Sequence, residues 1–239
     1  MSQIKLGNTD IPFVFRGDEL LYPDYVRDGL VLHYDFSAMN NSDEGRGIAR
    51  DLSGNGNHGT LQNFNFTAES GYDKNKLIFD GVDDQVFIAD GEDYSVFTIL
   101  MTLKTSSKAV QFFNYFSNQV TYMRKLNTQL HVSVFSESAG QTSISYGGLF
   151  SNEADTRITV GLISDGTRVG IIANGNIVRE IEMNDMRPVK LLYLGRWISH
   201  ADALDGYYNS VQVYNRPLKP EEIAHNYAIE KERFNMQEV

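Results

Sequence analysis

Ser164-Asp165-Gly166-Thr167-Arg168-Val169-Gly170-Ile171-Ile172-Ala173-Asn174-Gly175-Asn176 is the stretch that decides the fold. Asn174-Gly175 supplies two central residues that accept positive φ, so 167–173 and 176–183 are predicted to form a tight hairpin. Asp165-Gly166 does the same one strand earlier, where Ile158, Val160 and Leu162 of 156–163 share one face. Three consecutive strands therefore meander.

The same period of two recurs along the chain. Leu30, Leu32, Tyr34 and Phe36 lie on one face of 30–36, Phe97, Ile99, Met101 and Leu103 on one face of 96–103, and Leu130, Val132 and Val134 on one face of 129–135. Further strands are expected at 77–80, 85–89, 110–116, 119–125, 142–146, 189–195 and 206–214. Short strands about ten residues apart, rich in turn signals, indicate an all-β antiparallel sandwich or barrel and exclude alternating β and α units. One short helix is expected at about 220–233, where Pro220 suits a first helical position, Glu221-Glu222 favour the positive end of the dipole, and Ile223 and Tyr227 are i,i+4 neighbours. Residues 1–28 have a different texture: apolar runs broken by Pro12 and Pro23 without a clean period. They read as an arm ahead of a domain spanning 29–239, either docking on a partner or covering the sandwich's own edge.

A sandwich of 239 residues can be one domain that buries roughly 70–75% of its unfolded surface. With no cysteine it has neither disulfides, thiolate metal sites nor a Cys nucleophile. Thirty-one acidic residues against 21 basic ones give a net charge of −10, which argues against nucleic acid or an anionic membrane as partner and suits cations and neutral polymers. Met1–Asn8 lacks a basic stretch before an apolar core, and no window approaches the ~18 apolar residues of a membrane span. The expectation is a soluble chain without an ordinary export signal, on which the acceptor patterns Asn40-Asn41-Ser42 and Asn65-Phe66-Thr67 carry no sugar.

Gly54-x-Gly56-x-x-Gly59 matches the dinucleotide fingerprint in form only, because neither a buried strand before it nor an amphipathic helix after it is present. Asp51, Ser53, Asn55 and Asn57, spaced by two, could instead wrap oxygens around a hard cation; the alternative is a turn that satisfies its own backbone. Asp80, Asp83 and Asp84 crowd three carboxylates into five residues, a repulsion that a cation would relieve; Asp83 and Asp84 could equally stay solvated, and Asp80 reads as the turn-maker of Asp80-Gly81. The five histidines show no HExxH spacing, and neither a G-x-S-x-G elbow nor the E-x-D-x-x-E of jelly-roll glucanases occurs, so no enzyme is expected. His131 reads as a packed core histidine. Trp197, Tyr207 and Tyr208 could stack on sugar faces or fill the space between sheets, as could Phe112, Phe113, Tyr115 and Phe116. Arg16-Gly17-Asp18 is taken as a three-letter coincidence.

Gly29–Phe36, Asp51–Gly59, Leu77–Val86 and Val211–Leu218, the last followed by Glu221-Glu222-Ile223 and Asn226-Tyr227, together resemble LamG-like, concanavalin A-type jelly-roll domains over about 29–230. The resemblance implies a lectin-like sandwich that binds carbohydrate or protein, often with calcium at its rim. It would place Asp51, Asn55, Asn57, Asp83, Asp84, Asp202 and Asp205 in the loops where such ions sit. Arm and domain together are similar to small virion proteins of tailed bacteriophages, in which a LamG-like domain decorates tail, neck, baseplate or head. That similarity implies a non-enzymatic virion subunit, repeated as a homo-oligomer, contacting other structural proteins and binding host-surface glycan with calcium. The alternatives are a jelly-roll glucanase and a purely architectural subunit.

Overall fold

Alternation on this scale folds into two stacked antiparallel sheets, each of eight strands. The computed structural model describes residues 4–6, 9–11, 14–16, 19–22, 24–37, 39–89, 91–105, 109–114, 121–150, 157–191, 193–195 and 203–236. The first sheet runs, edge to edge, through Gly140–Tyr146, Gln129–Ser136, Tyr122–Leu126, Ala109–Asn114, Tyr193–Leu194, Gln85–Ile88, Gly59–Gln62 and Ile48–Ala49. The second runs through Asn176–Glu182, Arg168–Ala173, Ile158–Ser164, Phe97–Thr105, Asp205–Tyr214, Leu77–Asp80 and Gly71–Tyr72, with Leu30–Asp35 as its eighth strand. Asp205–Tyr214 is its axis: it pairs with Phe97–Thr105 along one side, and divides the other between Leu77–Asp80 and Leu30–Asp35. The chain is an all-β jelly-roll sandwich with one helix among the described residues.

The core lies between the sheets. Val86, Met123, Val132 and Leu194 enter it from the first, Met101, Val160, Leu162 and Val211 from the second, all fully buried. Each such side chain contributes about 1.5–3 kcal/mol by leaving water. The Asn174-Gly175 hairpin forms as its turn chemistry requires, with Ala173 opposite Asn176 and positive φ at both turn residues.

Ile158–Ser164 departs from the expected alternation, being buried at all seven positions. The cause is α1 (Pro220–Arg233), which lies over the outer face of the second sheet and forms a further apolar cluster with Leu30, Leu100, Ile163, Ile172, Tyr214, Leu218 and Ile223. A helix of 14 residues is marginal alone, so this packing holds it. At its start the Glu222 carboxylate accepts the Lys219 backbone N–H at 2.8 Å and is gripped by both terminal nitrogens of Arg216 at 2.8 Å. Further along, Tyr25 and Ser210 hydroxyls donate to the two oxygens of buried Glu230 at 2.5 and 2.6 Å. The Asn226 amide donates to Gln212 Oε1 and to the Tyr214 hydroxyl.

The arm contains strands that its sequence texture does not advertise. Ile4–Leu6 pairs with Thr9–Ile11, and Val14–Arg16 with Glu19–Tyr22, as two separate two-stranded sheets that pair with neither large sheet. Leu6 opposite Thr9 and Arg16 opposite Glu19 leave two residues between strands each time, Gly7-Asn8 and Gly17-Asp18.

Candidate functional site

The glycine-rich loop after Ala49 is clamped to the strand Leu30–Asp35. Asp51 Oδ1 accepts the backbone N–H groups of His33 and Ser53, each at 2.9 Å, while Oδ2 accepts the Ser53 hydroxyl and the Asn57 N–H. The Asn55 and Asn57 amides donate to the carbonyls of Leu30 and Val31 at 3.1 and 2.8 Å. Both oxygens of Asp51 are thus engaged by the chain's own donors, the arrangement of a self-satisfied turn.

The second acidic group is drawn together. One carboxylate oxygen from each of Asp80, Asp83 and Asp84 lies within 4.8 Å of the others. Asp205 faces them: it is the register partner of Asp80, and Gly81 leaves the space that a side chain there would contest with Asp205 Cβ, 3.0 Å from the ideal Cβ position. Asp84 is only 2% exposed, and its oxygens accept the Asp80 N–H at 3.0 Å and the Ser70 hydroxyl at 3.1 Å. Burial pushes its carboxyl up to about 6, against the pull of those two donors. This corner has the hard oxygen donors that suit calcium. Asp202 lies outside the described residues.

The aromatic candidates separate. Tyr208 is fully buried, its ring edge-on to Phe79 at 5.3 Å in the core, so it offers no face to a ligand from solvent; the register of Asp205–Tyr214 sends it inward. Tyr207, its neighbour, is half-buried and points to the opposite face. Trp197, Tyr115 and Phe116 lie outside the described residues, as do the side chains of Phe112 and Phe113.

The larger feature is the outer face of the first sheet, on which no helix lies among the described residues. Strand registers align one residue from each of its eight strands: Ser143, Ser133, Tyr122, Asn114, Tyr193, Phe87, Thr60 and Ile48. Their sequence neighbours Ile144, Val132, Met123, Leu194, Val86 and Leu61 are buried in the core, so Ser143, Tyr122, Tyr193, Phe87 and Thr60 face outward, while Ser133 is itself buried. Phe87 and Tyr193 sit side by side, ring centroids 5.2 Å apart and tilted by 35°. Tyr122 stands two strands from Tyr193, roughly 10 Å at ordinary strand spacing. Around Tyr122 the Arg124 guanidinium lies 5.2 Å from its ring centroid, the His131 ring lies 6.0 Å away, and His131 Nδ1 is 3.0 Å from Ser145 Oγ. Next along, the Gln141 amide donates to Ser133 Oγ at 2.7 Å. His131 is therefore not a core residue but half-buried on this face, where burial and Arg124 lower its pKa and favour a neutral ring.

Ring faces flanked by hydroxyl, amide, imidazole and guanidinium groups match a ligand with both C–H faces and hydroxyls. None of the residues named on this face is a carboxylic acid.

No protein-family model matches the chain, and no curated protein sequence matches it. Solved structures do resemble it. The binding domain of botulinum neurotoxin serotype D superposes with a TM-score of 0.63 at 13% identity, over 86% of this chain and 52% of that one. The serotype D ligand binding domain solved with N-acetylneuraminic acid gives 0.61 at 13%, over 85% and 51%. The serotype G binding domain gives 0.58 at 13%, over 84% and 51%. The likeness is one of fold, and the chain spans about half the length of those domains.

Proposed function

We propose that this chain is a non-enzymatic, lectin-like module that binds carbohydrate across the outer face of the first sheet. The observation that carries the reading is the row in which three half-buried rings, Tyr122, Tyr193 and Phe87, the last two side by side, stand between the hydroxyl-bearing Ser143 and Thr60. The solved domains that share the fold are named as receptor- or ligand-binding domains, one with a bound sugar acid, which favours binding over turnover. Calcium held by Asp83 and Asp84, with Asp80 and Asp205 alongside, belongs to the same proposal on the strength of the gathered carboxylates. The setting on a phage virion rests on the resemblance of arm and domain to small virion proteins; repetition there would turn weak single sites into avidity.

The test is a glycan array probed with the purified chain, followed by titration of the strongest hit against Tyr193→Ala and Tyr122→Ala. Loss of one stacked ring is expected to weaken binding by about tenfold or more, while the fold, read by circular dichroism, is kept. Unchanged affinity in both variants would refute the sheet face as the site, and release of reducing ends from the bound glycan would replace the lectin with an enzyme.

A further inference from the structure

Three cations surround one tyrosine on the opposite sheet of a protein whose net charge is −10. Lys76 Nζ lies 5.0 Å from the Tyr207 ring centroid, Lys104 Nζ 5.7 Å, and the Arg157 guanidinium carbon 5.5 Å. Arg157 Nη2 also donates to the Tyr207 hydroxyl at 3.3 Å, and its Nη1 donates to the carbonyl of Phe234, just beyond α1. The notch is therefore the stretch of outer face that the helix stops short of covering: Ser210 and Tyr214 lie under α1, Tyr207 beyond its end. Lys104 and Tyr207 are register partners on adjacent strands, and Ile78 pairs with Tyr207 from the other side.

Like charges gathered this closely repel. Burial first, then Lys76 and Arg157, lower the Lys104 pKa, while Asp205 pulls the other way. Asp73 answers Lys76 at 3.1 Å from a half-open position, 42% exposed. An arriving oxyanion would relieve that repulsion, and the tyrosine ring beside it offers an apolar face.

We propose that the Tyr207 notch binds an oxyanion substituent, carboxylate or sulfate, of an acidic saccharide. The surrounding charge sets the class. Nucleic acid carries a charge every ~1.7 Å and would meet the protein's overall negative field along its length. A saccharide with isolated acidic groups can place one in the notch and keep the rest of the chain neutral. The notch lies on the other sheet from Tyr122, Tyr193 and Phe87, so either site can fail without the other.

The experiment titrates the full chain by calorimetry with a uronic-acid oligosaccharide, the same oligosaccharide with its carboxyls reduced to alcohols, sodium sulfate and a short DNA duplex. Binding of the charged oligosaccharide is expected to exceed that of the reduced form by about tenfold or more, to weaken with added salt, and to be displaced by sulfate. Lys76→Gln with Lys104→Gln should cost at least about tenfold. Should the lysine variant lose its fold, the Tyr207 ring and lysine side-chain NMR signals of the wild-type chain must still shift on titration. Equal binding of charged and reduced forms, sulfate binding without saccharide binding, preference for the duplex, or unmoved Tyr207 signals would each overturn the proposal.

Discussion

Arg233 Nη2 lies 2.5 Å from Asp35 Oδ2, joining the last turn of α1 to the strand Leu30–Asp35, with side chains 5% and 0% exposed. The same nitrogen donates to the Ser37 hydroxyl at 2.7 Å, and Asp35 Oδ1 accepts the Ser37 N–H and hydroxyl. Taking either charge away strands the other in a site buried from solvent. Arg233→Met is expected to cost about 3–5 kcal/mol in urea denaturation, and adding Asp35→Leu to that variant should recover part of the loss. A single variant within error of wild type would show the pair to be dispensable.

His33 sets a pH dependence. Its ring is fully enclosed, packed edge-on to Tyr25 at 5.0 Å, and burial lowers its pKa from 6.5 to about 4. Between those values the unfolded chain takes up a proton that the native chain refuses. Stability contributed by His33 is thus complete above the upper value and is lost as pH falls toward the lower, by on the order of 3 kcal/mol in all. Asp84, with its carboxyl raised to about 6, works in the opposite sense, native protonation adding stability as pH falls below that value. The readout is the slope of unfolding free energy against pH, which should be shallower in His33→Gln than in wild type and steeper in Asp84→Asn.

Calcium should act through the same Asp84. Binding requires the ionised carboxylate, so an ion held there raises the melting temperature near neutral pH, and the gain fades below about 6. Chelator should reverse the gain, and Asp83→Asn with Asp84→Asn should abolish it. A melting temperature indifferent to millimolar calcium near neutral pH would remove the ion from this corner.

Gly175 has φ +82° at the hairpin tip, and a Cβ there would meet the Tyr227 ring of α1 at 2.6 Å. Gly175→Ala therefore strains the turn and pushes the helix at once, for a cost of about 1–3 kcal/mol by thermal or denaturant unfolding. Tyr227→Ala in the same background should relieve the steric part and leave the backbone part.

Local features were legible in the sequence where their cause is local. Asn174-Gly175 announces its own hairpin, and Leu130, Val132 and Val134 point inward as their alternation says, each fully buried. The helix follows from Pro220 and the acidic pair after it. Legibility ends where distant segments meet. Ile163 and Ile172 sit on a face that local alternation assigns to solvent, because a helix more than forty residues downstream covers them. Nothing near Tyr207 and Tyr208 says which of the two turns inward; the pairing with Leu77–Asp80 decides it. Phe87, Tyr122 and Tyr193 form one row only through registers spanning the whole first sheet, so the candidate sugar face had no local signature beyond an outward parity at each position. In the arm, Gly7-Asn8 and Gly17-Asp18 were the available hairpin signals, ten residues apart.

The position of Asp205–Tyr214 at the axis of its sheet bears on biogenesis. A ribosome delivers this segment after all the other strands of the sandwich, yet Phe97–Thr105, Leu77–Asp80 and Leu30–Asp35 all await it. Until it emerges, a half-built layer waits with its middle missing and sticky margins bare, the condition in which nascent chains clump or recruit chaperones. Ribosomes stalled just short of this segment should therefore hold a protease-sensitive chain, and those stalled well beyond it a resistant one.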